Sequence, residues 1–183
     1  MRHKSLLPIA VLLAAASFVQ SRELPQAPAG FHWEQATRIK AAFLVPDGWF
    51  FRADEKPTVI TYFISREDTR SGKFQVGLTV NVNRVTKGDA VAYAKKVVAE
   101  FPRAQGKKLL KSWDINLNLL SGAGCNVELG GEHDALVMEV VALGNPKTNA
   151  LYFITFEAPK AEWEEAWHLG REITSHLGLS DQF

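Results

Sequence analysis

Residues 150–178 read ALYFITFEAPKAEWEEAWHLGREITSHLG and predict a strand that runs into an amphipathic helix. Ala150–Glu157 is rich in aromatic and β-branched residues, which favour strands. Pro159 suits the first turn of a helix, and Gly178 is expected to end it. At 100° per residue, one face of this helix carries Trp163, Ala166, Trp167, Gly170, Ile173, Thr174 and Leu177. Such an apolar stripe must be buried, so we expect the helix to pack on a sheet.

The residues upstream predict more strands, most of them joined as hairpins. Ile39–Val45 ends at a Pro-Asp-Gly turn, after which Trp49, Phe50 and Phe51 are expected to return into the core. Thr58–Ser65 and Phe74–Val85 are predicted to pair as an antiparallel hairpin. Three further strands are predicted at Leu109–Leu117, Gly124–Leu129 and Ala135–Leu143. The last of these is almost continuously apolar, which is typical of a central strand covered on both faces.

A second helix is predicted between the two groups of strands. Ala90, Ala94, Val97 and Phe101 repeat with helical spacing, and Pro102 marks the end of the pattern. Strands joined by hairpins and covered by two amphipathic helices predict an α+β fold. We expect an α/β/α sandwich with a central, mainly antiparallel sheet of about six to seven strands, with the two helices on opposite faces.

The first residues predict export. A short basic region, Met1–Lys4, precedes an uncharged apolar run from Leu6 to Val19, which is the pattern of a signal peptide. We expect cleavage after Ser21, with Ala16 as the second choice, and an uncleaved anchoring helix as the alternative. The predicted organisation is a signal peptide at 1–21, a flexible leader at 22–37 and one domain at 38–183. The mature chain is therefore expected to be periplasmic or secreted, with no membrane-spanning segment of its own.

Charge is distributed unevenly along the chain. Removal of residues 1–21, with two basic and no acidic residues, changes the net charge from +1 to −1, which argues against a nucleic-acid-binding protein. Arg84–Lys111 nevertheless contains eight basic residues and two acidic ones, whereas Glu128–Phe183 contains ten acidic residues and three basic ones. This segregation predicts either a positive side that docks electrostatically on a partner or a surface that only keeps the protein soluble.

Three features together resemble a known family. They are Phe-Leu-Val-Pro-Asp-Gly-Trp at 43–49, the hairpin and helix that follow, and Leu-Tyr-Phe-Ile-Thr-Phe-Glu-Ala-Pro at 151–159 before a Trp-bearing helix. The combination resembles the PsbP-like family over about residues 38–178. That family includes an extrinsic subunit of the oxygen-evolving complex, a nuclear-import factor that binds a small GTPase, and many exported bacterial proteins. The resemblance implies an antiparallel sheet between helices and a role in binding or assembly; it carries no catalytic or ligand residue onto this chain.

The residues themselves suggest a few candidate sites. Glu139 lies within the apolar run 135–143, where a carboxylate is costly unless it is paired. It is expected either to reach solvent or a basic partner such as Arg84, or to line a polar pocket with Thr79, Asn81 and Asn83. Such a pocket would bind a small molecule.

Other candidates lie at the surface. Trp49, in the turn, is either a core residue or part of an interaction patch. His168 on the last helix is either solvated or, with Glu164 or Glu172, a weak metal site. The single cysteine, Cys125, is expected to be buried and unreactive.

The chain has neither a nucleophile elbow nor a phosphate-binding loop. We therefore expect an exported, non-catalytic binding or assembly factor with a protein partner and no cofactor. A periplasmic protein that binds a small molecule or a metal is the alternative.

Overall fold

The computed structural model describes residues 24–117, 119–130 and 135–179; the predicted signal peptide at 1–21 lies outside this part of the chain. Nine strands and two α-helices follow one another in the described residues. The first five strands are β1 Phe31–Ala36, β2 Ala41–Pro46, β3 Phe50–Glu55, β4 Val59–Ser65 and β5 Gly77–Arg84. Helix α1 is Ala90–Glu100. The remaining elements are β6 Lys107–Asn116, β7 Ser121–Leu129, β8 Leu136–Gly144, β9 Ala150–Pro159 and α2 Trp163–Ser175.

Seven of these strands form one sheet with the order β3-β4-β5-β9-β8-β7-β6. Every neighbouring pair is antiparallel. The predicted β4–β5 hairpin and the run of hairpins from β6 to β9 are both present. Strand β9 joins the two groups of strands into one sheet, because it also pairs with β5. In this pairing, Leu78 lies opposite Phe156. The predicted antiparallel α+β architecture is therefore confirmed.

Strands β8 and β9 bury side chains on both of their faces. Val140 and Ala142 pack in one core cluster with Ala94 and Val98 of α1. Val141 and Leu143 point the other way, into a cluster that contains Ile173 of α2. Because successive strand residues point to opposite faces, the two helices lie on opposite sides of the sheet. This arrangement is the predicted sandwich.

The expected flexible leader is wrong for part of its length. Within 22–37, strand β1 pairs antiparallel with β2 along its whole length, from Phe31 opposite Pro46 to Ala36 opposite Ala41. The two strands form a separate small sheet, in which β2 is buried throughout and packs beside α2. Strand β2 is buried throughout, so its backbone groups need a hydrogen-bonded partner strand. Strand β1 supplies this partner, although its own sequence carries little hydrophobic pattern.

Other differences from the sequence analysis are local. Phe50 is 40% exposed rather than buried, because it alternates with Phe51, which is the residue that packs against the core. Helix α2 ends at Ser175, and Gly178 instead exchanges two backbone hydrogen bonds with Ala42 of β2. Asp89 caps the amino terminus of α1, because its side chain accepts a hydrogen bond from the Ala92 amide.

Asn149, in the β8–β9 turn, ties α1 to the sheet. Its Oδ1 accepts from the Ala90 amide at 2.8 Å, while its Nδ2 donates to the carbonyls of Val85 at 2.7 Å and Gly88 at 3.0 Å. Its backbone has φ 56°, a left-handed conformation that asparagine tolerates better than most residues. One side chain therefore hydrogen-bonds both to carbonyls of the segment that enters α1 and to an amide in the first turn of the helix.

Replacement of Asn149 by alanine should therefore lower the free energy of unfolding by about 3 kcal/mol. The change removes three hydrogen bonds and places a Cβ-bearing residue without a polar side chain at positive φ. Asn149→Gly removes the same bonds without the backbone strain, so it should cost less. Urea unfolding followed by circular dichroism measures both. A wild-type midpoint for Asn149→Ala would contradict this role.

Candidate functional site

The predicted polar pocket does not form, because its members lie on opposite faces of the sheet. Glu139 pairs with Phe156, which pairs with Leu78, so Glu139 lies on the α2 side. Asn81 pairs instead with Phe153, a residue of the α1 side. Thr79 and Asn83 share the face of Asn81 because they differ from it by two positions. The expectation of one pocket shared by Glu139, Thr79, Asn81 and Asn83 is wrong, since the sheet itself separates them.

The three polar residues of β5 remain together on their own face. All three are half-buried, and the Thr61 hydroxyl donates to Asn81 Oδ1 at 2.8 Å. On that face, α1 contacts β7, β8 and β9. This cross-strand hydrogen bond satisfies part of the hydrogen-bonding capacity of Asn81 within the sheet.

Glu139 is buried beside a small, partly open cavity. It is 7% exposed and borders a cavity of about 20 Å³, also lined by Ile115, Ile154 and Leu177. A cavity of this size holds about one water molecule, too little for an organic ligand. The expected partner Arg84 lies opposite Ala150, far along the sheet from Phe156 and Glu139. Glu139 is therefore buried, and Arg84 is not its partner.

Burial controls the charge of Glu139. Loss of hydration raises the pKa of this carboxyl from 4.5 to about 7, and the positive charge of Lys111 opposes the shift. Asn126 stands directly across the strand from Glu139. Its amide nitrogen faces Glu139 Oε2 at 3.3 Å, because the opposite orientation would bring acceptor atoms together.

The two remaining candidates do not join these residues. Trp49 is half-buried and packs against the main core, and its backbone amide closes the turn by donating to the Pro46 carbonyl. His168 is exposed on α2, and its Nδ1 accepts from the Arg171 guanidinium at 3.0 Å. Among the described residues, no three His, Cys, Asp or Glu side chains are placed to hold a metal ion. In the same part of the chain, no helix is long and apolar enough to cross a membrane.

An open groove lies between α1 and the edge strand β6. It has a volume of about 650 Å³, and we call it the α1–β6 groove. Val98, Ala99 and Pro102 line its helical wall, and Ala123 and Gly124 of β7 form its base. The small Ala123 side chain leaves space on the α1 side, whereas Gly124 faces the other side of the sheet, where the Trp113 ring packs against it. Cys125 is buried nearby, as predicted, and its pKa is raised by that burial.

Cations line and flank the α1–β6 groove. Lys95 and Arg103 line it, Lys107 lies at the start of β6, and Lys108 and Lys111 extend from the other face of that strand. Lys95 lies 3.9 Å from Asp114, whereas among the described residues neither Arg103 nor Lys111 has an ion-pair partner. Part of the basic excess predicted for Arg84–Lys111 thus gathers at one place on the surface.

Sequence reasoning missed two leucines beside these cations. Leu109 and Leu110 are 48% and 47% exposed. In a regular strand, two consecutive side chains point to opposite faces, so one of these leucines would be expected to face the core. The reason is a register shift between Leu109 and Lys111, where β6 carries one more residue than β7. The imperfect alternation of Leu109–Leu117 was the available signal. The groove therefore combines exposed apolar side chains with a positive rim.

The raised pKa of Glu139 makes stability depend on pH. Between about pH 4.5 and 7 the folded state binds a proton that the unfolded chain has released. The free energy of unfolding should therefore fall as pH rises through this window, by roughly 3 kcal/mol for this group. Glu139→Gln should be more stable than the wild type at pH 8 and similar to it at pH 4, because the neutral amide needs no dehydration of a charge. The Asn126 amide can turn over to accept from the new group.

Urea titrations at pH 4, 6 and 8 measure this difference. Glu128→Gln is the control, because the Lys160 amine donates to Glu128 at 2.8 Å and lowers its pKa. That carboxyl contributes stability when ionised, so its replacement should act in the opposite direction. A Glu139→Gln protein less stable than the wild type at pH 8 would show that the ionised carboxylate is needed.

Comparison with known proteins supports the fold and no more. No family model matches the chain, and no curated protein matches it by sequence. The solution structure of cyanobacterial PsbP (CyanoP) from Synechocystis sp. PCC 6803 aligns with a TM-score of 0.54. The two chains are 12% identical, and the alignment covers 87% of this chain and 98% of that one.

Two other solved structures align less closely. LpqN of Mycobacterium tuberculosis, described as involved in cell envelope biogenesis, gives a TM-score of 0.47 at 8% identity over 86% of this chain and 82% of its own. The Ran-binding protein Mog1p of Saccharomyces cerevisiae gives 0.45 at 13% identity over 79% of this chain and 85% of its own. The seven-stranded antiparallel sheet between two helices, together with the CyanoP alignment, confirms the resemblance at the level of the fold: this chain has the PsbP fold.

Proposed function

We propose that this chain is an exported, non-catalytic binding or assembly module that engages a protein partner through the α1–β6 groove. The observation that carries the proposal is the meeting of exposed Leu109 and Leu110 with a positive rim beside a groove of about 650 Å³. Apolar side chains at the centre of a patch supply contact area, and surrounding charges steer association and select the partner.

The chemistry of the groove favours binding over catalysis. Its polar lining consists of Lys95, Arg103, Ser112 and Asp114. Ser112 is the one hydroxyl in this lining, and within the described residues no hydrogen bond joins it to a base that could activate it. The planar guanidinium of an arginine such as Arg103 presents several donors in a fixed fork, which suits recognition of carboxylates. The role in binding or assembly implied by the family resemblance agrees with this arrangement.

Site-specific cross-linking in the source organism tests the proposed surface. A photoreactive benzophenone amino acid at Leu109 or Leu110 should give one discrete adduct, whose partner is identified by mass spectrometry and then reconstituted from purified proteins. Val59, 38% exposed on β4, is the matched position in the other half of the sheet. Adducts of equal yield at Val59, or none at the leucines, would contradict the proposal.

Charge reversal gives an independent readout with the same purified pair. Arg103→Glu with Lys111→Glu should weaken binding at least tenfold, because Arg103 lines the groove and Lys111 follows the exposed Leu110 on the same edge strand. Lys73→Glu with Lys87→Glu makes the same change in net charge at exposed positions outside α1 and β6. Equal losses in the two double variants would mean that net charge alone governs association.

Export is part of the proposal and rests on residues 1–21. We expect the secreted or periplasmic chain to begin at Arg22, because Val19 and Ser21 place compact residues before the cleavage point. Amino-terminal sequencing of the protein from fractionated cells measures this. A chain that retains Met1 and sediments with membranes would favour the anchoring alternative.

A further inference from the structure

Strand β6 is a long, exposed edge of the sheet. It contains ten residues, and within the part of the chain that the structure describes only β7 pairs with it. Residues 108–112 are all exposed, and the backbone groups of an edge strand that point away from its neighbour can bond to another chain. The opposite edge, β3, has six residues, so β6 offers the longer template.

Charge restricts what can pair with this edge. Lys107, Lys108 and Lys111 lie within five consecutive positions of β6. A second copy of β6 placed alongside brings lysine against lysine in registers such as Lys108 opposite Lys111, and like charges directly opposite each other destabilise a strand pair. An acidic strand meets no such repulsion and gains attraction. The edge therefore disfavours self-association and favours a complementary partner.

The two faces of β6 present different chemistry. Lys108 lies opposite Glu128 and Lys111 opposite Asn126, so both lysines lie on the α2 side of the sheet, as Glu139 does. Leu109 lies opposite Val127, on the α1 side, where the apolar wall of Val98 and Pro102 continues it. An added strand would therefore place alternate side chains against lysines and in an apolar groove.

We propose that the β6 edge binds an extended segment of a partner protein in which acidic and apolar residues alternate, as an eighth strand of the sheet. Backbone hydrogen bonds supply part of the affinity, and the side-chain alternation supplies the selectivity. The acidic residues face Lys108 and Lys111, and the apolar ones enter the α1–β6 groove beside Leu109. This inference rests on the proposed function and specifies the partner segment.

Fluorescence anisotropy with the mature chain tests the proposal directly. The probe is a labelled octapeptide of alternating glutamate and valine; the controls are a block peptide of the same composition and an alternating lysine and valine peptide. The alternating acidic probe should bind at least tenfold more tightly than either control, and more weakly as salt is raised. Lys108→Glu with Lys111→Glu should weaken it at least tenfold, whereas Lys73→Glu with Lys87→Glu should leave it unchanged.

Backbone methylation separates strand pairing from simple charge attraction. Methyl groups on the amides along one edge of the probe should abolish binding, and methyl groups along the other edge should not. Equal binding of both methylated probes, or of the block peptide, would overturn the proposal. A preference for vesicles of phosphatidylglycerol or for single-stranded DNA, with the same dependence on Lys108 and Lys111, would also overturn it.

Absence of probe binding would mean that the lysines and the irregular register only protect the edge. The result remains distinct from failure of the proposed function, because the cross-links at Leu109 and Leu110 report any protein docked on the groove. Cross-linked adducts without probe binding would support the proposed binding surface and contradict the pairing of an added strand with β6. Unchanged urea midpoints in the charge variants would confirm that they fold.

Discussion

Strands β8 and β9 fill both faces of the sheet, and this constraint organises the molecule. Their side chains alternate between a cluster under α1 and a larger core under α2 and the β1–β2 hairpin. A strand that is apolar on both sides cannot lie at a surface, so each helix must cover one face. The same alternation decides which distant residues can meet. It places Glu139 on one face and Asn81 on the other, although their strands, β8 and β5, both neighbour β9.

The position of α1 depends on this constraint and on the turn that follows β8. Ala94 and Val98 pack the helix against β7, β8 and β9. Asn149, in the turn between β8 and β9, fixes the first turn of the helix through its hydrogen bond with the Ala90 amide. The helix therefore stops short of β6, and the small residue Ala123 leaves the α1–β6 groove open beneath it. The surface that we propose for binding is a consequence of how the core is covered, rather than a separate insertion.

Electrostatics acts differently in the interior and at this edge. Glu139 is largely buried, so burial dominates and raises its pKa. Lys111, which opposes that shift from the neighbouring edge strand, is exposed and available to a second molecule. The PsbP fold provides the scaffold for this arrangement, and CyanoP shares that scaffold at only 12% identity. Any functional likeness must therefore be established from the residues of this chain.

The sequence by itself determined the elements. Hydrophobic periods of about two and 3.6 residues located most of the strands and both helices, because burial selects those periods locally. It missed β1, since a strand with little apolar pattern is recognised only beside its partner β2. Only the tertiary structure decided the pairing of β5 with β9, the separation of Glu139 from Thr79, Asn81 and Asn83, and the exposure of Leu109 and Leu110. These features depend on strand order and register, which are set by packing between residues far apart in the chain.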